Sequence, residues 1–286
     1  NKSKIYEISN RANAINKAIL DLKTGDILIV AGKGHEKIQE YKKIKKLFSD
    51  EQQILKNITI KNKTLSNNVK LNILKELSNS NNISSRLKIK NASINSKEIK
   101  ENDIFFAIKG KNKDGNLFVN EALAKGASLA IVNNHKISKK KIVVKDTLKF
   151  LTEASSILRE NLSSKIISIT GSCGKTSLKE LTGISLNKIS QTTYSPKSFN
   201  NKFGVPLSLF NLKKNDTFGV FEIGMDKKGE IDYLSKIIKP DVGVITNISY
   251  AHIKNFKNIN EIALAKSEII KNIKDDGYLI LNKDDK

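Results

Sequence analysis

Hydrophobic positions follow two rhythms along this chain, short runs rich in Ile and Val and longer stretches at helical spacing. Ile15, Ala18, Ile19 and Leu22 recur every three or four residues and predict a helix, with Ser9 or Asn10 as its N-cap. Thr24-Gly25-Asp26 reads as a turn leading into Ile27-Leu28-Ile29-Val30, an expected short buried strand. Ser49 and Gln52 have the spacing of a capping box and open another helix. Residues 59–86 are polar and rich in Asn, Ser and Lys. They read as a linker and the start of a new domain, with one short helix over 71–77. Beyond it, Ile104-Phe105-Phe106-Ala107-Ile108 predicts a strand, 118–125 a helix, and 127–132 and 141–144 further strands. Residues 147–159 predict a helix capped by Asp146. From residue 163 strands are expected at 166–170, 220–223, 242–246 and 278–281, with helices from Lys175, over 230–238 and over 261–273. Strands alternating with helices imply an α/β architecture in which a parallel sheet is covered on both faces. The resulting division is 1–58, 59–86, 87–162 and 163–286.

Composition narrows the picture. The chain has 286 residues, 38% of them hydrophobic, enough for more than one core. No run of eighteen apolar residues occurs, so no membrane span is expected. Lys2, Lys4 and Glu7 break up the N-terminus before any signal-like apolar stretch forms. The single cysteine, Cys173, excludes an internal disulfide and a multi-cysteine metal site, and suits a reducing cytoplasm. A net charge of +22 would suit a nucleic acid or an anionic surface. The charge is nearly all lysine, however, with arginine only at Arg11, Arg86 and Arg159, and it is not interleaved with aromatics. No nucleic-acid partner is expected on that pattern. The chain begins at Asn1, holds its only methionine at Met225 and stops just after a strand, which leads to the expectation of an internal fragment.

The strongest chemical signal is Thr170-Gly171-Ser172-Cys173-Gly174-Lys175-Thr176-Ser177, placed between a strand and a helix. Glycines there let backbone N–H groups turn toward phosphates, and the helix N-terminus adds partial positive charge. The match is to the short form G-x-x-G-K-[ST], because Ile169 stands where a longer form has glycine. Gly171, Ser172, Cys173, Gly174, Lys175, Thr176 and Ser177 are therefore the candidate ATP-binding residues. Lys175 can reach the β- and γ-phosphates, and the Thr176 hydroxyl can ligate Mg²⁺. Cys173 reads as a small loop filler, since no histidine lies near it in sequence to make it a nucleophile.

The run Thr-Gly-Ser-Cys-Gly-Lys-Thr-Ser-Leu-Lys-Glu resembles the ATP loop of the Mur ligase family. Later stretches extend the likeness in the family's order: Phe199-Asn200-Asn201-Lys202-Phe203-Gly204-Val205-Pro206-Leu207, Glu222-Ile223-Gly224-Met225, Gly229-Glu230-Ile231, Thr246-Asn247-Ile248 with Ala251-His252, and Ala263-Leu264-Ala265-Lys266-Ser267-Glu268-Ile269. They are most similar to the branch that adds D-alanyl-D-alanine, the MurF type. The resemblance implies a cytoplasmic enzyme of peptidoglycan and cell-wall synthesis. Its cofactors would be ATP and Mg²⁺. Its substrates would be UDP-N-acetylmuramoyl-tripeptide and D-alanyl-D-alanine, and other peptidoglycan enzymes could be its neighbours. It implies catalytic roles for Lys175, Lys266 and His252, and a metal set of Thr176, Glu222, His252 and Lys266, the last as a carbamate. Asn200 and Asn201 would line the path between nucleotide and substrate, although turn residues before Gly204 are an equally ordinary reading.

Residues 87–162 resemble the family's small UDP-binding domain, with Ser96 as a substrate contact. Asn95-Ser96-Lys97 departs from the usual Asp-Ser-Arg, and Asp114-Gly115-Asn116 from Asp-Gly-His; lysine does not reproduce the planar fork of arginine. Residues 163–286 correspond to part of the P-loop ATPase domain. The N-terminal Gly32-Lys33-Gly34-His35-Glu36, after Asn10-Arg11-Ala12, resembles the end of the MurE branch, a remnant of a Rossmann-like ligase C-terminal domain. There Gly32 and Glu36 would touch the added amino acid. A natural MurE–MurF fusion is the expected arrangement, and the isolated chain is expected to bind nucleotide without turning over. The alternatives are another Mur-type ligase (MurE, MurC or one like folylpolyglutamate synthase), a basic nucleotide-binding module, and a non-catalytic scaffold.

Overall fold

The computed structural model describes residues 5–22, 26–32, 36, 38–41, 44–67, 69–80, 83–84, 87–110, 113–134, 136, 140–251 and 253–285. The chain divides into two compact units, Asn1–Val69 and Lys70–Lys286.

The first unit contains α1 (Arg11–Asp21), β1 (Ile38–Tyr41), β2 (Ile44–Leu47) and α2 (Asp50–Asn67). Asn10 starts α1 by accepting the Asn13 N–H at 3.1 Å, a cap worth about 1 kcal/mol. Ile15 and Ile19 turn one face of α1 inward. Arg11 donates to both carboxylate oxygens of Asp50, at 2.8 and 2.5 Å, and to the Ala31 carbonyl at 3.0 Å. Ser49 accepts the Gln52 N–H at 3.3 Å, which realises one half of the expected capping box. The strand expected at Ile27-Leu28-Ile29-Val30 does not form, and Ile27 and Ile29 are 88% and 83% exposed. A strand needs a ladder partner for its backbone groups, and none pairs with these residues among the described ones. An antiparallel hairpin forms instead farther on, pairing Ile38 with Leu47. The polar stretch read as a linker is largely helical. The helix α2 continues through residue 67, and α3 (Val69–Ser78) follows with Leu71 and Leu74 fully buried. Once α2 is nucleated, each added residue gains a backbone hydrogen bond, and this outweighs the weak helix preference of Asn and Thr.

The second unit holds two parallel sheets. The smaller contains β3 (Ala92–Ser93), β4 (Ile104–Phe106), β5 (Leu129–Val132) and β6 (Lys141–Val143), side by side in that order, with α4 (Val119–Ala124) between β4 and β5 and α5 (Thr147–Glu160) leading from β6 to the larger sheet. Every residue of β4 and β5 is buried, as a sheet covered on both faces requires. Asp146 caps α5 as expected, accepting from Leu148 and Lys149 at 2.8 and 2.9 Å. The larger sheet contains β7 (Lys165–Thr170), β8 (Thr192–Tyr194), β9 (Phe218–Glu222), β10 (Val242–Ile245) and β11 (Tyr278–Leu281), in the order β11-β10-β7-β9-β8 and parallel throughout. Its helices are α6 (Lys175–Asn187), α7 (Gly204–Phe210), α8 (Glu230–Ile238) and α9 (Ile259–Ser267), the last tightening into a 3₁₀ turn over Glu268–Asn272.

The side chains of Asn211 and Arg159 and an aromatic pair help to tie the sheets together. Asn211 accepts the Ala92 N–H at 2.6 Å and donates to the Ala92 carbonyl at 3.0 Å, completing the edge of β3 with a side chain. Phe106 meets Phe210 edge to face with centroids 5.6 Å apart. Arg159, at the end of α5, is buried against Asp241 at 2.9 Å and also donates to the carbonyls of Ile238 and Lys239. Losing one partner of such a buried pair costs about 3–5 kcal/mol.

Candidate active site

In the larger sheet β7 is central, with β9 on one side and β10 on the other. The connection after β7 runs toward β8 and that after β10 runs the other way toward β11, so the carboxyl ends of β7 and β10 flank the switch point where open α/β sheets bind ligands. The expected phosphate loop lies there. Gly171 has φ +145°, and a Cβ on it would fall 1.9 Å from the Thr246 hydroxyl, so only glycine fits. Gly174 has φ +76° and opens α6 with no side-chain cap, which leaves the helix N-terminus to anions. Residues after β10 brace the loop. Asn247 accepts the Ser172 N–H through its carbonyl and the Cys173 N–H through its side chain, both at 2.9 Å, and Thr246 donates to the Cys173 carbonyl at 2.6 Å. Lys175 donates to the Gly171 and Ser172 carbonyls at 2.9 and 3.2 Å. Cys173 is exposed.

Glu222 ends β9 with 1% exposure. A buried carboxylate is tolerated only when its oxygens find donors. One oxygen accepts the Thr176 hydroxyl and the other the Asn200 amide, each at 2.7 Å, while the Glu222 N–H donates to the Ser195 hydroxyl at 3.3 Å. Lys266 is 2% exposed on α9. Burial, and next the charge of Lys175, bring its amine down to about 8, partly offset by Cys173. Thr176, Glu222 and Asn200 are thus joined by direct contacts, Lys175 precedes Thr176 in the first turn of α6, and Lys266 is electrostatically coupled to Lys175. Asn201 takes the turn role, its side chain accepting from the Phe203 and Gly204 N–H groups at 3.0 Å and so starting α7. His252 lies outside the described residues, as do Lys33, Gly34 and His35. Gly32 (φ +93°) and Glu36 are exposed in the first unit.

The Thr176 hydroxyl and Glu222 carboxylate are hard oxygen donors of the kind Mg²⁺ takes. Among the described residues no group of three His, Cys, Asp or Glu side chains could hold a metal. So sparse a protein set fits an ion that shares its coordination with nucleotide phosphates and water. A cavity of about 510 Å³ extends from Lys175 and Asn200 past Phe203, Met225 and Tyr233 to Leu148. Its lip is pinned by two carboxylates. Glu230 accepts the Asp226 and Lys227 N–H groups at 2.6 and 3.0 Å, and the buried Glu268 accepts those of Gly229 and Asp232 at 2.7 and 3.1 Å.

The carboxyl edge of the smaller sheet carries the second set of expected residues. Ser96 is buried and donates to Glu121 at 2.9 Å, while Lys97 is exposed. Asp114 accepts both the backbone and amide N–H groups of Asn116, at 2.9 and 2.6 Å, and these hold its carboxyl below the usual range. The Asn116 amide also reaches Asn133 at 2.5 Å, and its carbonyl oxygen is buried with no hydrogen-bond partner. Ser195, Lys179 and Glu268 had no functional reading from sequence. Each acts on a loop distant in the chain, so no spacing rule reveals it.

Two family models match this chain: the Mur ligase catalytic domain over residues 88–158 and the Mur ligase middle domain over residues 169–286. The UDP-N-acetylmuramoyl-tripeptide–D-alanyl-D-alanine ligase of Buchnera aphidicola (subspecies Baizongia pistaciae) is 38% identical over 184 residues, which is 63% of this chain and 40% of that protein. The Escherichia coli enzyme of the same name is 32% identical over 182 residues, 63% of this chain and 40% of that protein. Among solved structures, MurF from Acinetobacter baumannii superposes with TM-score 0.66 at 34% identity, covering 75% of this chain and 48% of that one. MurF from Thermotoga maritima in complex with ADP gives 0.59 at 34%, covering 68% and 46%. The chain spans less than half the length of these relatives. Residues 88–158 and 169–286 are Mur ligase domains, and across them the chain is MurF-like.

Proposed function

We propose that this chain serves the ATP-dependent ligation of D-alanyl-D-alanine to UDP-N-acetylmuramoyl-tripeptide in peptidoglycan synthesis. The observation that carries the reading is the Thr176–Glu222 contact at 2.7 Å beside the phosphate loop, with Asn200 on the other carboxylate oxygen. ATP with Mg²⁺ would supply the phosphoryl group and neutralise its charge. Lys175 binds the β- and γ-phosphates, Thr176 and Glu222 hold the metal, and Asn200 keeps Glu222 in place. The tripeptide carboxylate attacks the γ-phosphorus and releases ADP, and the D-alanyl-D-alanine amine then displaces phosphate from the acyl phosphate. The protein contributes position and charge more than covalent chemistry. Lys266, with its amine near 8, has a neutral fraction able to add CO₂ and lose a proton, giving a carbamate anion that supports the metal. His252 is assigned to the same metal.

Residues 87–162 are assigned to the UDP-linked substrate, with Ser96 at that site, and 163–286 to ATP. Residues 1–58 are assigned to a MurE-type C-terminal domain in a fused protein, with Gly32 and Glu36 facing its amino acid. A cytoplasmic location accompanies this chemistry; among the described residues no helix is long and apolar enough to cross a membrane.

Thermal unfolding tests the core of the proposal. A ligand at a hundred times its dissociation constant stabilises the native state by about 2.7 kcal/mol. Mg²⁺-ATP should raise the midpoint of the wild-type chain, and Lys175→Ala should abolish that rise while keeping any rise with UDP-N-acetylmuramoyl-tripeptide. No shift with either ligand would overturn the reading.

A further inference from the structure

The Lys179 ammonium is the least exposed charge near the site, at 0%. It stands one helical turn beyond Lys175 on α6. Its three N–H groups are matched by three acceptors: the Glu180 carboxylate at 2.5 Å, the Ser195 carbonyl at 2.7 Å and the Lys197 carbonyl at 2.9 Å. An ammonium has three donors and no more, so this one is fully engaged. Two of its acceptors lie in residues 195–200, the segment that leaves β8. That segment holds Lys197 at φ +49°, a backbone region that side-chain-bearing residues enter only under constraint. Ser195 is itself buried, donates its N–H to the Val220 carbonyl at 3.0 Å and accepts the Glu222 N–H. Three residues after Lys197, Asn200 places its amide on Glu222.

These contacts close a ring. From α6, Thr176 reaches Glu222 directly. From the same helix, Lys179 grips the 195–197 backbone, which carries Asn200 to the other oxygen of the same carboxylate. We propose that Lys179 is a positioning residue for the metal site: it fixes the loop that presents Asn200, and so sets the orientation of Glu222 toward a divalent cation. This rests on the ligase reading of the site. With its three donors taken by Glu180, Ser195 and Lys197, Lys179 has none left for nucleotide. Its removal should therefore weaken metal binding while leaving the phosphate loop intact.

The test is a titration of the full chain with Mn²⁺, followed by electron paramagnetic resonance at saturating ADP, beside ADP binding measured without metal. Lys179→Met should raise the Mn²⁺ dissociation constant about tenfold and leave metal-free ADP affinity within twofold. Glu180→Gln, which keeps both carbonyl anchors, should leave both constants unchanged. Residues that act through one another are not additive, so Lys179→Met combined with Asn200→Ala should bind Mn²⁺ no more weakly than Asn200→Ala alone. If Lys179→Met does not fold, Lys179→Gln, which carries no charge and is too short to hold both carbonyl anchors, carries the same cycle. Wild-type Mn²⁺ affinity in the Lys179 variant, an equal loss of metal-free ADP, or an additive double variant would each overturn the inference. A wild-type chain that binds ADP but takes up no Mn²⁺ overturns the metal reading and this inference with it. A chain that binds neither overturns the ligase reading as a whole.

Discussion

The two sheets of the second unit present the same kind of edge, the carboxyl ends of parallel strands, yet they furnish it differently. On the larger sheet's edge three charged groups are buried and satisfied, Glu222 by Thr176 and Asn200, Lys179 by three acceptors and Glu268 by two N–H groups, while the Thr170 hydroxyl is buried without a hydrogen-bond partner and the Lys266 amine is buried near the charge of Lys175. On the smaller sheet Ser96 is buried, Asp114 and Asn116 are half-buried and Lys97 is exposed, and one buried acceptor, the Asn116 carbonyl oxygen, has no hydrogen-bond partner. A group buried with its partners in place is pre-organised and expensive to alter. A looser edge tolerates change and binds by adapting. The departures from the family pattern in these two domains, Asn95, Lys97 and Asn116, all fall on the looser edge. The phosphate-loop edge keeps its pattern.

The largest effect should come from Glu222→Ala. It removes the metal carboxylate and strands the Thr176 and Asn200 donors in a buried site. Mn²⁺ affinity in the ADP complex should fall by about two orders of magnitude, about 2.8 kcal/mol at 1.4 kcal/mol per tenfold. Ser96→Ala on the smaller edge should leave that affinity unchanged. Equal responses to the two substitutions would erase the distinction between the edges.

Much of this contrast could be read before the fold was known. Strands β7 and β10 announce themselves as β-branched runs and β9 and β11 as short apolar or aromatic ones, and α8 occupies its expected bounds of 230–238. The phosphate loop is legible because glycine, lysine and threonine must be adjacent to do their work. What escaped is whatever depends on partners. Strand β8 has three residues, too few for a pattern, and α7 hides behind Gly204 and Pro206, the latter tolerated because it sits in the first turn. Ile27 and Ile29 carry a strand signal but find no ladder partner among the described residues. Conversely, residues 59–67 look like a linker and continue a helix. Lys179 and Ser195 belong to the site only because α6 and the loop after β8 meet in space.

A buried lysine sharpens the comparison further. Lys266 has its amine lowered to about 8, whereas in an unfolded chain it would titrate near 10.4. Between those values the unfolded state binds more protons, so stability rises with pH across that window. Below pH 8 both states are protonated and the whole cost of burying the charge is present. In CO₂-free buffer, Lys266→Met should therefore raise stability by about 1–3 kcal/mol at pH 7, and the gain should shrink toward pH 10.5. Chemical denaturation at pH 7, 9 and 10.5 measures it. A variant that loses stability at pH 7 would mean that the amine is paired in the fold, and that this edge holds no uncompensated charge.

The smallest effect should appear on the looser edge. Asn116 donates to Asp114 and Asn133 and leaves its carbonyl oxygen buried without a hydrogen-bond partner, an arrangement that costs about 1–3 kcal/mol. Histidine at this position would keep one donor for Asp114 without the orphaned carbonyl, and would restore the family's Asp-Gly-His. Asn116→His should change stability by no more than about 1 kcal/mol, because the site is only partly buried and can repack. Calorimetric titration with a uridine diphosphate ligand should show affinity rising a few-fold, with Mg²⁺-ADP binding on the other edge unaltered. If uridine affinity fell instead, Asn116 would be adapted to the ligand as it stands, and the smaller sheet would tolerate change no better than the larger one.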